Sequence, residues 1–161
     1  MEIKIKLSDN AYIPKRMTAG AVGYDLCACE NVIIEQGQTK VVNTGVAFEL
    51  PQNIELQVRP RSGLSVKYDV IQILGTVDFD YRGEVKVIIK NIGDVPFVIG
   101  AGEWIAQAVF NKVELPVLIE VNEIGETKRG SSGFGSTGKD TIIKNQASEL
   151  EMLVRQVMKV D

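Results

Sequence analysis

The sequence predicts an all-β fold of the sandwich or jelly-roll kind, and three observations carry that prediction. The first 125 residues hold 17 Val and 15 Ile, β-branched side chains that favour strands. Short apolar runs alternate with polar residues, and turn residues separate the runs at short, regular spacing. Ile3, Ile5 and Leu7 alternate with Glu2, Lys4 and Lys6. Ile54, Leu56 and Val58 follow the same rule, as do Val85, Val87 and Ile89. Each run reads as a half-buried strand. Further strands are expected near 24–29, 39–49, 69–77, 95–98, 104–112 and 117–121, bounded by Gly, Pro and Asn at 37, 51, 60, 75, 91–93, 96, 100–102 and 116. No internal repeat is visible.

The composition changes at residue 125. From Gly125 to Gly138 there are five glycines and one aromatic, Phe134, too little apolar surface to order the segment on its own. Beyond it, Ser148 and Glu151 have capping-box spacing. Ile143, Ala147, Leu150, Val154 and Val157 form an apolar stripe that Leu153 and Val160 widen. The expected organisation is a β domain over 1–124, a Gly-rich arm over 125–138, and a tail over 139–161 with an amphipathic helix at about 148–160.

Composition limits the chemistry. The chain has 161 residues, 45% of them hydrophobic and 24% charged, as expected of one soluble globular domain plus a tail. No apolar run approaches the length of a membrane span, and Glu2, Lys4 and Lys6 break up any signal-peptide core. A cytoplasmic protein without membrane contact is expected. Histidine is absent, which excludes a Ser-His-Asp or Cys-His nucleophile, histidine-ligated zinc and an imidazole base. Cys27 and Cys29, one residue apart in an expected strand, read as two reduced thiols. A net charge of -3 argues against a basic surface for nucleic acid. A small anion held by a few arginines and backbone N–H groups remains compatible.

Three segments carry candidate chemistry. Gly133-Phe-Gly-Ser-Thr-Gly138-Lys139 fits the first seven positions of a P-loop, but Asp140 stands where Ser or Thr would hold magnesium and no strand precedes it. What survives is a set of donors on a flexible backbone, suited to closing over phosphates, or else a solvated linker. Arg59-Pro-Arg61-Ser62-Gly63-Leu64-Ser65 places a guanidinium, a hydroxyl and a glycine N–H within one turn. That set suits phosphate oxygens, though a loop with surface arginines reads the same way. Asp78-Phe-Asp80-Tyr81-Arg82-Gly83-Glu84 offers carboxylates that could activate water; an Asp- and Gly-rich hairpin equally needs no catalytic explanation.

These segments, with Ala21-Val-Gly23-Tyr24-Asp25-Leu26, Gly75-Thr-Val-Asp78 and Gly102-Glu-Trp-Ile-Ala-Gln107, complete an ordered set of five. Ending at Arg129-Gly-Ser-Ser-Gly133-Phe134-Gly135-Ser136-Thr137-Gly138, the set resembles the five motifs of the homotrimeric dUTPase family. The resemblance implies a jelly-roll homotrimer whose sites form between subunits, the arm of one subunit crossing to its neighbour. It implies magnesium-dependent hydrolysis of dUTP to dUMP and pyrophosphate, which limits uracil in DNA and supplies dUMP for dTMP synthesis. By the same resemblance Asp78 activates the water that attacks the α-phosphorus, and Asp25 holds magnesium through water. Arg61, Ser62, Gly63 and Gln107 donate to phosphates. Tyr81 packs on the sugar and excludes a 2'-hydroxyl, while the hairpin backbone at Gly75 and Val77 bonds the uracil edge. Phe134 stacks on the base, with Gly135 beside it, and Arg129, Ser136 and Thr137 hold the γ-phosphate. Gln72 aligns near a uracil-contacting position, where it would serve the base or face solvent.

Three features depart from the family pattern. Trp104 stands where arginine is common, Ser132 replaces a glycine of the arm, and the helix after Gly138 is an addition that would pack on the trimer or contact a partner. Two rival classes share the architecture: a dCTP deaminase, which is not expected to carry both the Asp78 hairpin and the arm, and a dUTPase-like regulatory protein that binds nucleotide without turnover.

Overall fold

A computed structural model describes residues 1–133, together with Val154 and Gln156. Met1–Val117 and Leu118–Asp161 form two separate units.

The first unit is built from two four-stranded antiparallel sheets. One has the order β1 (Lys4–Leu7), β4 (Thr39–Glu49), β8 (Glu84–Asn91), β6 (Val70–Ile73); the other runs β2 (Gly23–Cys27), β10 (Trp104–Lys112), β5 (Ile54–Arg59), β7 (Gly75–Val77). A small pair, β3 (Val32–Ile34) and β9 (Phe97–Ile99), completes the jelly roll. Inward residues of both large sheets meet in one hydrophobic cluster that includes Leu26, Val42, Leu56, Val58, Val87, Ile89 and Ile105. The alternation read from the sequence is the cause: in β8, Val85, Val87 and Ile89 are buried while Lys86, Ile88 and Lys90 point out. At the sheet edge β1 pairs, among the described residues, with β4 alone, and Ile5 is left exposed.

Four local expectations are corrected. The run 69–77 is not one strand: it breaks at Leu74, so that β6 pairs with β8 in one sheet and β7 with β5 in the other. The segment at 117–121 forms no strand, and Val117, Leu118 and Ile119 lie exposed, with no ladder to them among the described residues. β3 was not expected, three residues being too short to show a period. The phosphate-type turn continues into a helix, α1 (Ser62–Tyr68). In α1, Leu64 packs against the core, and Asp69 ends the helix in the left-handed region at φ 52°.

Three buried polar side chains lie in the first unit. Asn91 is fully engaged: its Nδ2 donates to Ile34 O at 2.9 Å and Val95 O at 2.7 Å, and its Oδ1 accepts from Gly93 N. Thr44 donates to Val85 O. Gln72 accepts from Arg61 N at 2.8 Å through Oε1, but its Nε2 has no partner among the described residues. Cys27 and Cys29 are free thiols, as expected. Burial pushes both above the ordinary thiol range, with the charge of Asp25 adding to the effect at Cys27 and that of Glu84 at Cys29.

In the second unit the described residues 118–133 contain turns but no strand or helix, and Val154 and Gln156 are helical. Among the described residues no helix is long and apolar enough to cross a membrane.

Candidate active site

Strand register sets the first half of the site. Across the second sheet Gln107 of β10 lies opposite Asp25 of β2 on one side and Arg59 of β5 on the other. These polar residues therefore form one row, close to where β5 leads into the Pro60–Arg61 turn. The Gln107 side chain lies over Gly23, where any Cβ would collide with it, and its Nε2 donates to Pro60 O at 3.0 Å. Gly23 thus serves the row by leaving space for Gln107.

The two arginines of the turn part company. Arg59 is tied to Gln57 through Nε and a terminal nitrogen, at 2.8 and 2.6 Å. Arg61 reaches Asp25, Nε to Oδ1 at 3.1 Å, with both side chains largely shielded from solvent. It also donates to Trp104 O at 3.2 Å and lies 5.1 Å from the centroid of the Trp104 ring. Trp104, the departure noted in the sequence, therefore offers the guanidinium a flat apolar face. A cleft of about 370 Å³ opens beside this turn, lined by Arg61, Ser62, Gly63, Leu64, Lys67, Tyr68 and Gln107. Lys67 and Tyr68 were not singled out in the sequence; it is the helix α1, which the sequence did not show, that sets Lys67 four residues after Gly63 on the same face. Interaction with the Tyr68 hydroxyl pushes the Lys67 ammonium above its ordinary range, so it remains a cation at neutral pH.

The second half lies elsewhere on the sheet. Asp78 directly follows β7 and is exposed. Tyr81 N donates to Asp78 O at 3.2 Å, and Arg82 caps the turn by donating to Phe79 O at 2.7 Å and Tyr81 O at 3.0 Å. The Tyr81 ring lies directly on Gly83, leaving no room for a Cβ there, and its hydroxyl donates to Glu84 O at 3.1 Å. A cleft of about 270 Å³ is lined by Gly75, Val77, Asp78, Tyr81 and their neighbours on β5 and β8. Among the described residues β7 is the edge strand of its sheet, paired with β5 alone, so that one side of its backbone is free of ladder bonds to them.

The two clefts share no lining residue. Val77 pairs with Leu56, whereas Gln107 pairs with Arg59, three residues further along β5. At about 3.3 Å per residue that offset is roughly 10 Å along the strand, with the width of β5 in addition. Within one chain, then, Arg61, Ser62, Gly63, Gln107 and Asp25 come together, and Gly75, Val77, Asp78 and Tyr81 come together, but the two groups do not meet. Gln72 corrects an expectation: at 2% exposure it neither faces solvent nor lines either cleft, because its strand position points inward behind the Arg61 turn. In the second unit Arg129 is exposed, its Nε donating to Ser132 O at 3.0 Å. Phe134, Gly135, Ser136 and Thr137, and the expected helix over 148–160 apart from Val154 and Gln156, lie outside the described residues.

Among the described residues no three His, Cys, Asp or Glu side chains cluster closely enough to chelate a metal. The donor set fits a magnesium ion that keeps its waters and takes its remaining oxygens from phosphate, since such an ion needs only one nearby carboxylate, here Asp25.

Known proteins bear on these observations. A profile of the dUTPase family matches residues 9–138. The deoxyuridine 5'-triphosphate nucleotidohydrolase of Wolinella succinogenes is 49% identical over 142 residues, covering 86% of this chain and 95% of that protein. Among solved structures, the dUTPase of Staphylococcus bacteriophage 80alpha with dUpNHpp superposes with a TM-score of 0.82 at 30% identity, over 85% of this chain and 98% of that one. A mutant dUTPase from phage phi11 of S. aureus, described with a structural Mg(II) ion, gives a TM-score of 0.73 at 26% identity, over 76% and 98%. With five motifs in order, a two-sheet jelly roll and relatives of this similarity over nearly their whole length, the chain belongs to the dUTPase family.

Proposed function

We propose that this chain hydrolyses dUTP to dUMP and pyrophosphate at sites shared between the subunits of a homotrimer. One observation carries the reading: the groups suited to phosphates and the carboxylate suited to activating water occupy two clefts that one chain does not join. A neighbouring subunit that sets its Asp78 cleft against the Arg61 cleft completes the site. Self-association is supported by Val41, Ile88 and Ile73, which align across three strands and are exposed on the outer face of their sheet.

In this reading Asp78 accepts a proton from a water aimed at the α-phosphorus, in line with the departing pyrophosphate. Arg61, the Ser62 hydroxyl, the Gly63 N–H and Gln107 donate to the phosphate oxygens and stabilise the charge that builds on the leaving group. Asp25 would hold a hydrated magnesium beside those phosphates, and the ion would supply charge neutralisation there. The free edge of β7 at Gly75 and Val77 supports base recognition, because an unpaired strand backbone offers donors and acceptors in fixed alternation, as a pyrimidine edge does. Tyr81, held flat by Gly83, would sit against the deoxyribose where a 2'-hydroxyl would otherwise go. Arg129, with Phe134, Gly135, Ser136 and Thr137, would close over the nucleotide bound at a neighbouring subunit and exclude water.

Two assays test this. Incubation with dUTP or dCTP and magnesium should release pyrophosphate from dUTP alone; ammonia from dCTP would point to a deaminase, and binding without product to a nucleotide sensor. For the shared site, Asp78→Asn and Arg61→Ala proteins, each inactive, should regain activity when unfolded together and refolded as mixed trimers, because one site then receives both intact halves. Failure of the mixed protein, with trimers formed, would place the whole site within one subunit.

A further inference from the structure

The carbonyl of Pro60 and the N–H of Arg61 belong to a single peptide group, and each end is held by a glutamine. Gln107 Nε2 donates to Pro60 O at 3.0 Å, and Gln72 Oε1 accepts from Arg61 N at 2.8 Å. The two glutamines come from different sheets, β10 and β6. A trans peptide points its two polar ends in opposite directions, so the pair fixes the rotation of that plane about the chain. The rotation in turn sets the direction in which the Arg61 side chain leaves the backbone.

Gln72 is otherwise hard to account for. It sits in the inward register of β6, following the buried Val70, and is 2% exposed. An aliphatic residue of the same length would fill that space without placing an amide in the core. Its Nε2 is buried without a protein partner, the one such side-chain nitrogen or oxygen among the described residues. The amide orientation is fixed nonetheless, since the reverse would set an N–H against the N–H of Arg61. Arg61 caps α1 from an extended conformation with no side-chain cap bond, so the bond to Gln72 is what ties its backbone N–H to the core.

We infer that Gln72 is a positioning residue, which holds the Pro60–Arg61 peptide from within the core so that Arg61 and the first residues of α1 meet a phosphate group in fixed orientation. The inference rests on the phosphate-binding role proposed above for that turn. It assigns Gln72 to the phosphate end of the substrate, acting through Arg61, and not to the base.

The test compares Gln72→Met, which keeps the length and removes both polar atoms, with Gln72→Glu, which keeps an acceptor oxygen for Arg61 N in either protonation state. Binding of inorganic tripolyphosphate with magnesium and of deoxyuridine is measured separately, together with hydrogen exchange at the Arg61 amide. Gln72→Met should weaken tripolyphosphate binding by about tenfold, the loss of one well-placed charge-assisted hydrogen bond. It should leave deoxyuridine binding unchanged and speed exchange at Arg61; Gln72→Glu should restore both the affinity and the protection. Weakened deoxyuridine binding with tripolyphosphate unaffected would overturn the inference and assign Gln72 to the base. Unchanged exchange and unchanged affinities would overturn it as well. If Gln72→Met does not fold, Gln72→Glu decides: wild-type Arg61 protection and tripolyphosphate affinity support the inference, and loss of either in a folded protein overturns it. A wild-type protein that binds no tripolyphosphate, yet whose Arg61 exchange depends on residue 72, would refute the phosphate role of the turn and leave the clamp standing.

Discussion

Asp25 and Arg61 form an ion pair at 3.1 Å in which the carboxylate is the more deeply shielded partner. The groups expected to serve metal and phosphate thus neutralise each other before any nucleotide is present. The pair keeps a guanidinium desolvated and aimed without leaving it unpaired, and Trp104 supports its other face. A triphosphate with its cation can replace this pairing with one of the same sense, anion to guanidinium and cation to carboxylate. That exchange reorganises little, which is how a site stabilises developing charge.

The arginine should accordingly be irreplaceable by lysine. Arg61→Lys keeps the charge but loses the planar fork that spans Asp25 and Trp104 O. A ten- to hundredfold fall in kcat/KM, roughly 1.5–3 kcal/mol, is expected from steady-state kinetics with dUTP. Trp104→Ala leaves the backbone acceptor in place and removes only the stacking face. Its cost should be about two- to fivefold, the size of an exposed cation–π contact. Equal losses in the two variants would contradict this division.

Gly63 separates ligand binding from folding. A Cβ there would meet nothing within 4 Å, and the residue lies inside α1, so the chain itself does not require glycine. Gly63→Ala should leave the melting temperature unchanged or raise it slightly, since alanine favours a helix by about 0.5–1 kcal/mol. It should also raise KM for dUTP at least about tenfold if a phosphate approaches that backbone closely. A stable variant with unchanged KM would remove Gly63 from the site.

Gly83 tests sugar selection. Because the Tyr81 ring occupies the space a Cβ would need, Gly83→Ala must displace the ring. Overpacking of this kind costs about 1–3 kcal/mol. Turnover of dUTP should fall while that of UTP falls less, so the ratio of their kcat/KM values drops. If the ratio survives although the tyrosine has moved, something other than this ring rejects the 2'-hydroxyl.

Asp78→Asn isolates the chemical step. The carboxylate follows an edge strand and is exposed, and the turn is held by Tyr81 N and Arg82. The substitution should therefore preserve folding and dUTP binding while turnover falls by about 10²–10⁴. Titration calorimetry with a non-hydrolysable dUTP analogue, set beside pyrophosphate release, reads the two effects apart.

What the sequence made legible follows from where information is local. The period of two in β8 was readable because each residue reports its own face, and the motif residues were readable because their chemistry stands out. The break at Leu74 was not, since a strand that passes from one sheet to the other keeps the composition of a strand. Nor was α1, whose seven residues include Gly63 and the β-branched Val66. The division of the site into two clefts depends on register, Gln107 opposite Arg59 but Val77 opposite Leu56, which only the assembled sheet determines. Gln72 misled for a related reason: a polar residue among apolar neighbours reads as outward-facing, and its partner, the Arg61 N–H, lies eleven residues earlier.

Truncation tests how much of the tail the chemistry needs. The core cluster and both clefts are formed by residues before 118, so a chain ending at Lys128 should fold with nearly unchanged thermal stability yet lose turnover, because Arg129 and the arm are gone. The family match ends at residue 138, so a chain ending at Lys139 should retain turnover. Size-exclusion chromatography with light scattering adds the second readout. If removing 140–161 leaves an active trimer, the terminal segment serves neither chemistry nor assembly; if it yields inactive monomers while the β domain still melts cooperatively, the apolar stripe expected over 148–160 holds subunits together, and the loss of activity follows from separating the Arg61 cleft of one chain from the Asp78 cleft of another.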